Sequence, residues 1–124
     1  MTGERISAAF PVRRIVGGQS AEVPFALTWT PSKQTVGGYL IIDDNRKRTA
    51  YYVAELPNDG TYRLWVLKRQ DTGDLHHVRL KSLAFACDCR GFTRFGHCRH
   101  ADALAWLHDC GFLKVRAGLY RAED

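Results

Sequence analysis

Long hydrophobic runs are missing from this chain of 124 residues, so the sequence predicts no membrane-spanning helix. Residues 1–10 mix charged and small polar groups, unlike a cleaved secretory signal, and we expect a cytoplasmic protein that makes no membrane contact. Internal repeats and low-complexity segments are also missing, which excludes repeat architectures. With 45% hydrophobic residues, the chain can nevertheless bury a small core of its own.

Recognisable catalytic groups are scarce too. A glycine-rich phosphate loop with its lysine is absent, and no nucleophile has an identifiable partner base. The acidic clusters at 43–44 and 71–74 coincide with predicted turns, where aspartate is needed for local hydrogen bonds. His76 and His77 fall on opposite faces of a predicted strand, which is typical of surface positions. We therefore predict that the protein is not an enzyme, and we infer no small-molecule substrate.

Acidic residues are rare in one part of the chain. The formal net charge is +5, and between residues 76 and 100 the only acid is Asp88. The cations in that window are Arg79, Lys81, Arg90, Arg94 and Arg99. This local excess of positive charge permits contact with nucleic acid.

Cysteine is confined almost entirely to the same window. Cys87 and Cys89 are one residue apart, Cys98 and His100 are one residue apart, and eight residues separate the two pairs. Positions i and i+2 of a strand share a face, so the first two sulfurs can aim at one point, whereas Cys98 must precede a helix that holds His100 in its first turn. Four protein donors leave no position for water, so the spacing predicts one structural Zn²⁺.

Other interpretations of the cluster stay open from the residues alone. A disulfide or free buried thiols would also account for the cysteines, although a reducing compartment favours metal, and iron is possible in place of zinc. His97, adjacent to Cys98, is the alternative nitrogen ligand to His100. Cys110 stands a full helix away, and we expect it to be a small buried residue near the helix end rather than a ligand.

Hydrophobic periodicity predicts a small α+β protein. Residues 1–36 contain prolines, a glycine pair and no sustained period, so we expect an irregular or loosely attached segment, with at most a short strand at 25–30. Residues 37–115 should form one domain, an antiparallel β-meander of four to five strands with one C-terminal helix, and zinc joins the last strand to the helix start. Residues 116–124 should form a tail. The strands are expected at 39–42, 49–56, 61–69, 75–80 and 83–87, and the helix at about 99–109.

The order Cys-x-Cys, spacer, Cys-x-His and an Ala/Leu-rich helix resembles the SWIM zinc finger. The match runs from about Tyr62 to Leu107, and Gly96 and Ala101 fit the usual surroundings of the motif. The resemblance implies that two cysteines end a β-hairpin, that Cys-x-His opens a helix, and that one zinc is bound by Cys87, Cys89, Cys98 and His100. It also implies binding to DNA or to proteins, usually as a module beside a larger domain, although this chain more closely resembles small stand-alone SWIM proteins of bacteria.

Cations and aromatic rings alternate between the two ligand pairs. Such a sequence suits phosphate contact and base stacking, so it predicts a nucleic-acid surface, with DNA favoured, formed by Arg90, Phe92, Arg94, Phe95 and Arg99. The two phenylalanines could instead pack over the metal while the arginines balance the thiolates.

A protein-protein interaction adaptor with a purely structural zinc is the alternative function. Its candidate contacts are apolar residues that we expect to be exposed, namely Tyr51, Trp65 and the N-terminal Trp29.

Overall fold

The computed structural model describes residues 5–32, 37–57 and 60–113, so the predicted tail at 116–124 lies outside the described residues. Seven strands form one antiparallel sheet in which each strand pairs with the next along the chain. The strands are β1 (Ile6–Val16), β2 (Gln19–Pro31), β3 (Gly37–Asp43), β4 (Arg48–Leu56), β5 (Arg63–Arg69), β6 (Leu75–Lys81) and β7 (Ala84–Cys87). The predicted meander is confirmed as β3 to β7, and the sheet has two strands more.

The two additional strands form a long hairpin in the segment that the sequence predicted to be irregular. Strand β1 pairs with β2 over its whole length, and Gly17 and Gly18 make the turn with φ values of 59° and 82°. Pro11 lies opposite Pro24. Proline has no N–H group, so this pairing suits a position where the backbone nitrogens of the two strands point away from each other. Strand β1 is an edge, and Pro24 lies beyond the stretch paired with β3, so neither strand loses a needed donor. The expectation of an irregular segment is therefore wrong for residues 6–31, although the short strand considered at 25–30 lies within β2.

Two helices follow the sheet, where the sequence predicted one. Helix α2 (Arg99–Asp109) has the predicted bounds. It ends in a Schellman motif, since Phe112 N–H donates to the Leu107 carbonyl and the next position back, Gly111, has φ 81°. The unpredicted helix is α1 (Arg90–Phe95), a short helix between the two ligand pairs. No helix among the described residues is long and apolar enough to cross a membrane.

The sheet curls around α2, which contacts β1 at one edge and β6 and β7 at the other. The face toward α2, called the inner face below, carries the alternate apolar side chains of the strands and forms one core with the helix residues Ala103, Leu104 and Leu107. Trp29, Tyr51 and Trp65 belong to this inner face and are at most 1% exposed. The expectation that these three aromatics are exposed is therefore wrong, because strand alternation places them on the buried side.

Candidate metal centre

Three consecutive elements bring the four predicted metal ligands to one point on the inner face. Cys87 is the last residue of β7, Cys89 is the N-cap of α1, Cys98 is the N-cap of α2, and His100 lies in the first turn of α2. Gly96 ends α1 with φ 78°, a conformation that favours glycine and turns the chain back toward the cysteines. The short helix α1 therefore acts as the connector that lets the second pair meet the first.

The four donor atoms lie close enough together for a single ion to contact all of them. One ligand atom from each of the four residues lies within 4.8 Å of all the others. His100 Nδ1 is 3.9 Å from Cys87 Sγ and 3.7 Å from Cys98 Sγ. A tetrahedron with Zn–S bonds of about 2.3 Å and a Zn–N bond of about 2.0 Å has edges of roughly 3.6 to 3.8 Å. The four residues are thus positioned to hold one metal ion, and all four cysteines of the chain are free of disulfides.

Two helix starts direct backbone N–H groups at the sulfurs. Phe92 N–H donates to Cys89 Sγ at 3.4 Å, and Ala101 N–H donates to Cys98 Sγ at 3.4 Å. Each cysteine occupies the N-cap position that serine or aspartate usually fills, where the helix dipole also favours a negative charge. Both features stabilise thiolate, which is the form that binds metal.

The close packing of the three sulfurs shifts the pKa values of the cysteines. The hydrogen bond with Cys98 lowers the pKa of Cys87 to about 4, and His100 adds to this effect. The same bond raises the pKa of Cys98, and burial raises the pKa of Cys89. Without a cation, these sulfurs therefore share their protons unequally. A divalent ion fits the site because it would replace the remaining protons and compensate the negative charge.

The orientation of the histidine is fixed from the opposite side of its ring. Nδ1 of His100 faces the sulfurs, while its Nε2 lies 3.1 Å from the hydroxyl of Tyr51 on β4. With metal on Nδ1, the ring proton resides on Nε2 and is donated to the Tyr51 oxygen. Burial raises the pKa of Tyr51, so its hydroxyl stays neutral, and Arg99 hydrogen-bonds the same group. Tyr51 is thus a positioning residue that the sequence did not reveal.

A second histidine supports the same ring. His76 on β6 stacks on His100 with a centroid distance of 4.3 Å and an interplanar angle of 21°. Burial lowers the pKa of His76, and neighbouring His100 lowers it further, so the stacked ring tends to be neutral. His77, the next residue, points to the other face of the sheet, where its backbone N–H and Nδ1 both lie 2.8 Å from the Asp88 carboxylate. The two histidines therefore differ in environment, as strand alternation predicts.

The remaining histidine and cysteine candidates lie apart from the cluster. The ring of His97 stacks on Phe95 with centroids 6.1 Å apart, so the structure brings His100 and not His97 to the sulfurs. Cys110 is the C-cap of α2 and is exposed, which corrects the expectation that it is buried. Its exposure follows from its place past the last helical turn, where the core side of α2 has ended.

The residues predicted to contact nucleic acid divide between two environments. Arg90, Arg94 and Phe95 are exposed on α1, and Phe95 retains 54% of its accessible surface with the Arg94 guanidinium 5.3 Å from its ring centre. Phe92 is instead partly buried against the core beside the cluster. Arg99 lies at the start of α2, 3.9 Å from the Asp44 carboxylate. Water exclusion is thus the evident role of Phe92, whereas Phe95 remains exposed beside Arg94 and His97.

Comparison of the chain with protein-family models, curated proteins and solved structures gives no match in any of the three. The resemblance to SWIM zinc fingers therefore remains a prediction from the sequence motif.

Proposed function

We propose that the protein is a small module stabilised by one structural zinc ion and that it binds nucleic acid, with DNA favoured. The observation that carries the zinc assignment is the cluster of three sulfurs and one imidazole nitrogen, all within 4.8 Å of one another. Mixed sulfur and nitrogen donors in this geometry favour zinc over harder cations. The resemblance to SWIM zinc fingers supports the same proposal, because that motif also joins the end of a hairpin to the start of a helix.

A structural rather than catalytic role follows from the completeness of the donor set. Four protein ligands fill the tetrahedron and leave no position for a reactive water. Cys87, Cys89 and His100 are also buried, and the four ligands connect β7, α1 and α2. Metal binding therefore supplies folding free energy to the end of the chain. We accordingly propose no enzymatic activity.

Nucleic-acid binding is supported by the charge and the aromatic ring presented next to the metal. The chain carries a formal net charge of +5, and α1 exposes Arg90, Arg94 and Phe95 on one short helix. Guanidinium groups suit phosphate oxygens, and an exposed aromatic ring suits a base. Because the metal centre anchors α1, this helix keeps the three residues close together before nucleic acid binds.

The adaptor alternative now depends on different residues. On the outer face of the sheet, opposite α2, Tyr39 and Tyr52 pack against each other with centroids 5.2 Å apart, and Tyr52 and Leu75 are about half exposed. An open groove of about 660 Å³ with a mainly apolar lining runs beside them. Such a surface suits a protein partner held by apolar contact.

A salt series separates the two functions. Zinc-loaded protein is titrated into labelled oligonucleotides, single-stranded and duplex, at 25 to 300 mM NaCl. We expect binding that is tightest at the lowest salt and falls steeply as salt rises, because phosphate contacts release counterions. Replacement of Arg94 by Ala should weaken the affinity for the oligonucleotide several-fold. Arg79→Ala, a matched change on the outer face of β6, should have little effect on that affinity. Absence of binding at the lowest salt would reject nucleic acid, and a protein partner retained at high salt would support the adaptor.

A further inference from the structure

A groove separates the β1–β2 hairpin from the metal-binding segment. It has a volume of about 350 Å³ and is open to solvent on one side. Cys98 forms part of its wall, so the shape of the groove depends on the metal centre. Its charged and aromatic lining consists of Arg13, Arg14, Phe25, Asp44, Phe95, His97 and Arg99. The hairpin thus contributes residues from a part of the chain distant in sequence from the zinc ligands.

Positive charge predominates in this groove. Arg14 comes from β1 and Arg99 comes from α2, whereas the side chain of Arg13 projects to the opposite face of β1, beside Glu22. Two acids lie close by: Asp44, in the groove wall, is 3.9 Å from Arg99, and Asp102 accepts the backbone N–H of Arg13 at 3.3 Å. An ion pair of 3.9 Å at a surface contributes little stability and leaves guanidinium donors for another acceptor. A phosphate group would meet several of these donors at once.

Aromatic rings line the same groove. Phe95 is 54% exposed, and His97 lies beside it with an interplanar angle of 28°. Arg14 lies over the ring of Phe25 with 5.6 Å between the guanidinium carbon and the ring centre, which holds this arginine at the groove wall. Phe95 therefore lines the same groove as Arg14 and Arg99, an arrangement that matches one base with its adjoining phosphates.

We propose that this groove binds a single-stranded segment of nucleic acid, with a base stacked on Phe95 and phosphates held by Arg14 and Arg99. The inference rests on the proposed nucleic-acid function and specifies its ligand. A volume near 350 Å³ is at the lower end of ligand-binding sites, so it accepts an unpaired base rather than a base pair. Stacking on an aromatic side chain also requires a base that is free of its own stack.

The test compares a labelled 12-nucleotide single strand with its duplex by fluorescence anisotropy, using the zinc-loaded full chain. We expect tighter binding of the single strand. Arg14→Ala should lose several-fold in affinity, and the slope of log K against log salt should become shallower by about 0.7, the value for one lost phosphate contact. Phe95→Ala should lose about tenfold through lost stacking.

Matched controls are Arg79→Ala for the charge and Tyr52→Ala for the exposed aromatic ring, both on the outer face of the sheet. Variants are compared only at equal zinc content, and Arg14→Gln replaces Arg14→Ala if that variant fails to fold. Duplex preference, or groove variants no weaker than the controls, would overturn this inference while leaving the proposed function in place. No binding of either oligonucleotide at low salt would overturn both.

Discussion

At the scale of single residues, the hydroxyl group of Tyr51 fixes the orientation of the His100 imidazole in the candidate metal cluster. Tyr51 lies 3.1 Å from Nε2 of His100, on the side of the ring away from the sulfurs. Nothing in the sequence near the cysteines indicates this partner, because it lies 49 residues earlier on β4. Such outer contacts commonly change metal affinity by about 10- to 100-fold.

Replacement of Tyr51 by Phe should therefore weaken zinc binding by about tenfold while keeping the buried ring in place. The loss has two causes: Nε2 of His100 loses its acceptor, and the imidazole becomes free to turn. The measurement is a competition titration of zinc against a chromophoric chelator. Tyr52→Phe, the next residue on the outer face, is the matched control and should bind zinc as the native protein does. Equal affinity in the two variants would show that Tyr51 has no positioning role.

At the scale of elements, helices and strands with strong local sequence signals could be predicted, and those with weak signals could not. Helix α2 was predictable because apolar residues recur at its period and Gly111 follows its end. Strands β3 to β7 were predictable from alternation and from the aspartates in their turns; Asp44, for example, accepts backbone N–H groups of Arg46 and Lys47. Helix α1 was missed because it has six residues, includes Gly91 and has no acid in its first turn.

The hairpin of β6 and β7 carries local strain just before the first ligand. Ser82 and Leu83 form its turn with φ values of 53° and 67°, a region that suits glycine or asparagine. Leu83 is also 90% exposed, so its side chain contributes little packing. The sequence prediction started the strand at Leu83 because the turn has no glycine, proline, asparagine or aspartate and only Ser82 as a turn residue.

A change of Ser82–Leu83 to Asn–Gly should raise the free energy of unfolding by about 1 kcal/mol, because it relieves the left-handed strain. For a chain of this size the expected rise in Tm is about 4 °C, measured by thermal unfolding at saturating zinc. Leu83→Ala alone removes the exposed apolar side chain but keeps the positive φ, so it should give no increase. An unchanged or lower Tm for the Asn–Gly variant would show that the native turn is unstrained.

At the scale of the whole molecule, the candidate metal centre joins α1 and the short strand β7 to helix α2, which is itself buried against the sheet. Helix α1 has no buried residue of its own, and β7 has four residues. The sequence was sufficient to predict the four ligands, because they lie within 14 positions of one another. The groove residue Arg14 on β1, the stacking of His76 and the hydrogen bond from Tyr51 depend on long-range strand order, which local patterns do not contain.

Loss of one ligand should therefore have a larger effect than loss of a cysteine elsewhere. Cys89→Ala should abolish stoichiometric zinc binding and unfold the part of the chain that contains α1 and α2. Cys110→Ser, at the exposed end of α2, should leave zinc content and Tm unchanged. Amide hydrogen exchange with metal analysis measures both effects. Equal protection of α2 in the two variants would contradict a structural role for the cluster.

The most direct test of the proposal that zinc stabilises this fold uses protein purified without added metal. Its metal content is measured first, and its thermal unfolding is then compared with and without a chelator. We predict one equivalent of zinc per chain and a fall in Tm of about 10 °C or more once zinc is removed, since metal binding is coupled to folding. Protein that contains less than half an equivalent of transition metal, and that unfolds cooperatively at the same Tm in the presence of chelator, would contradict it.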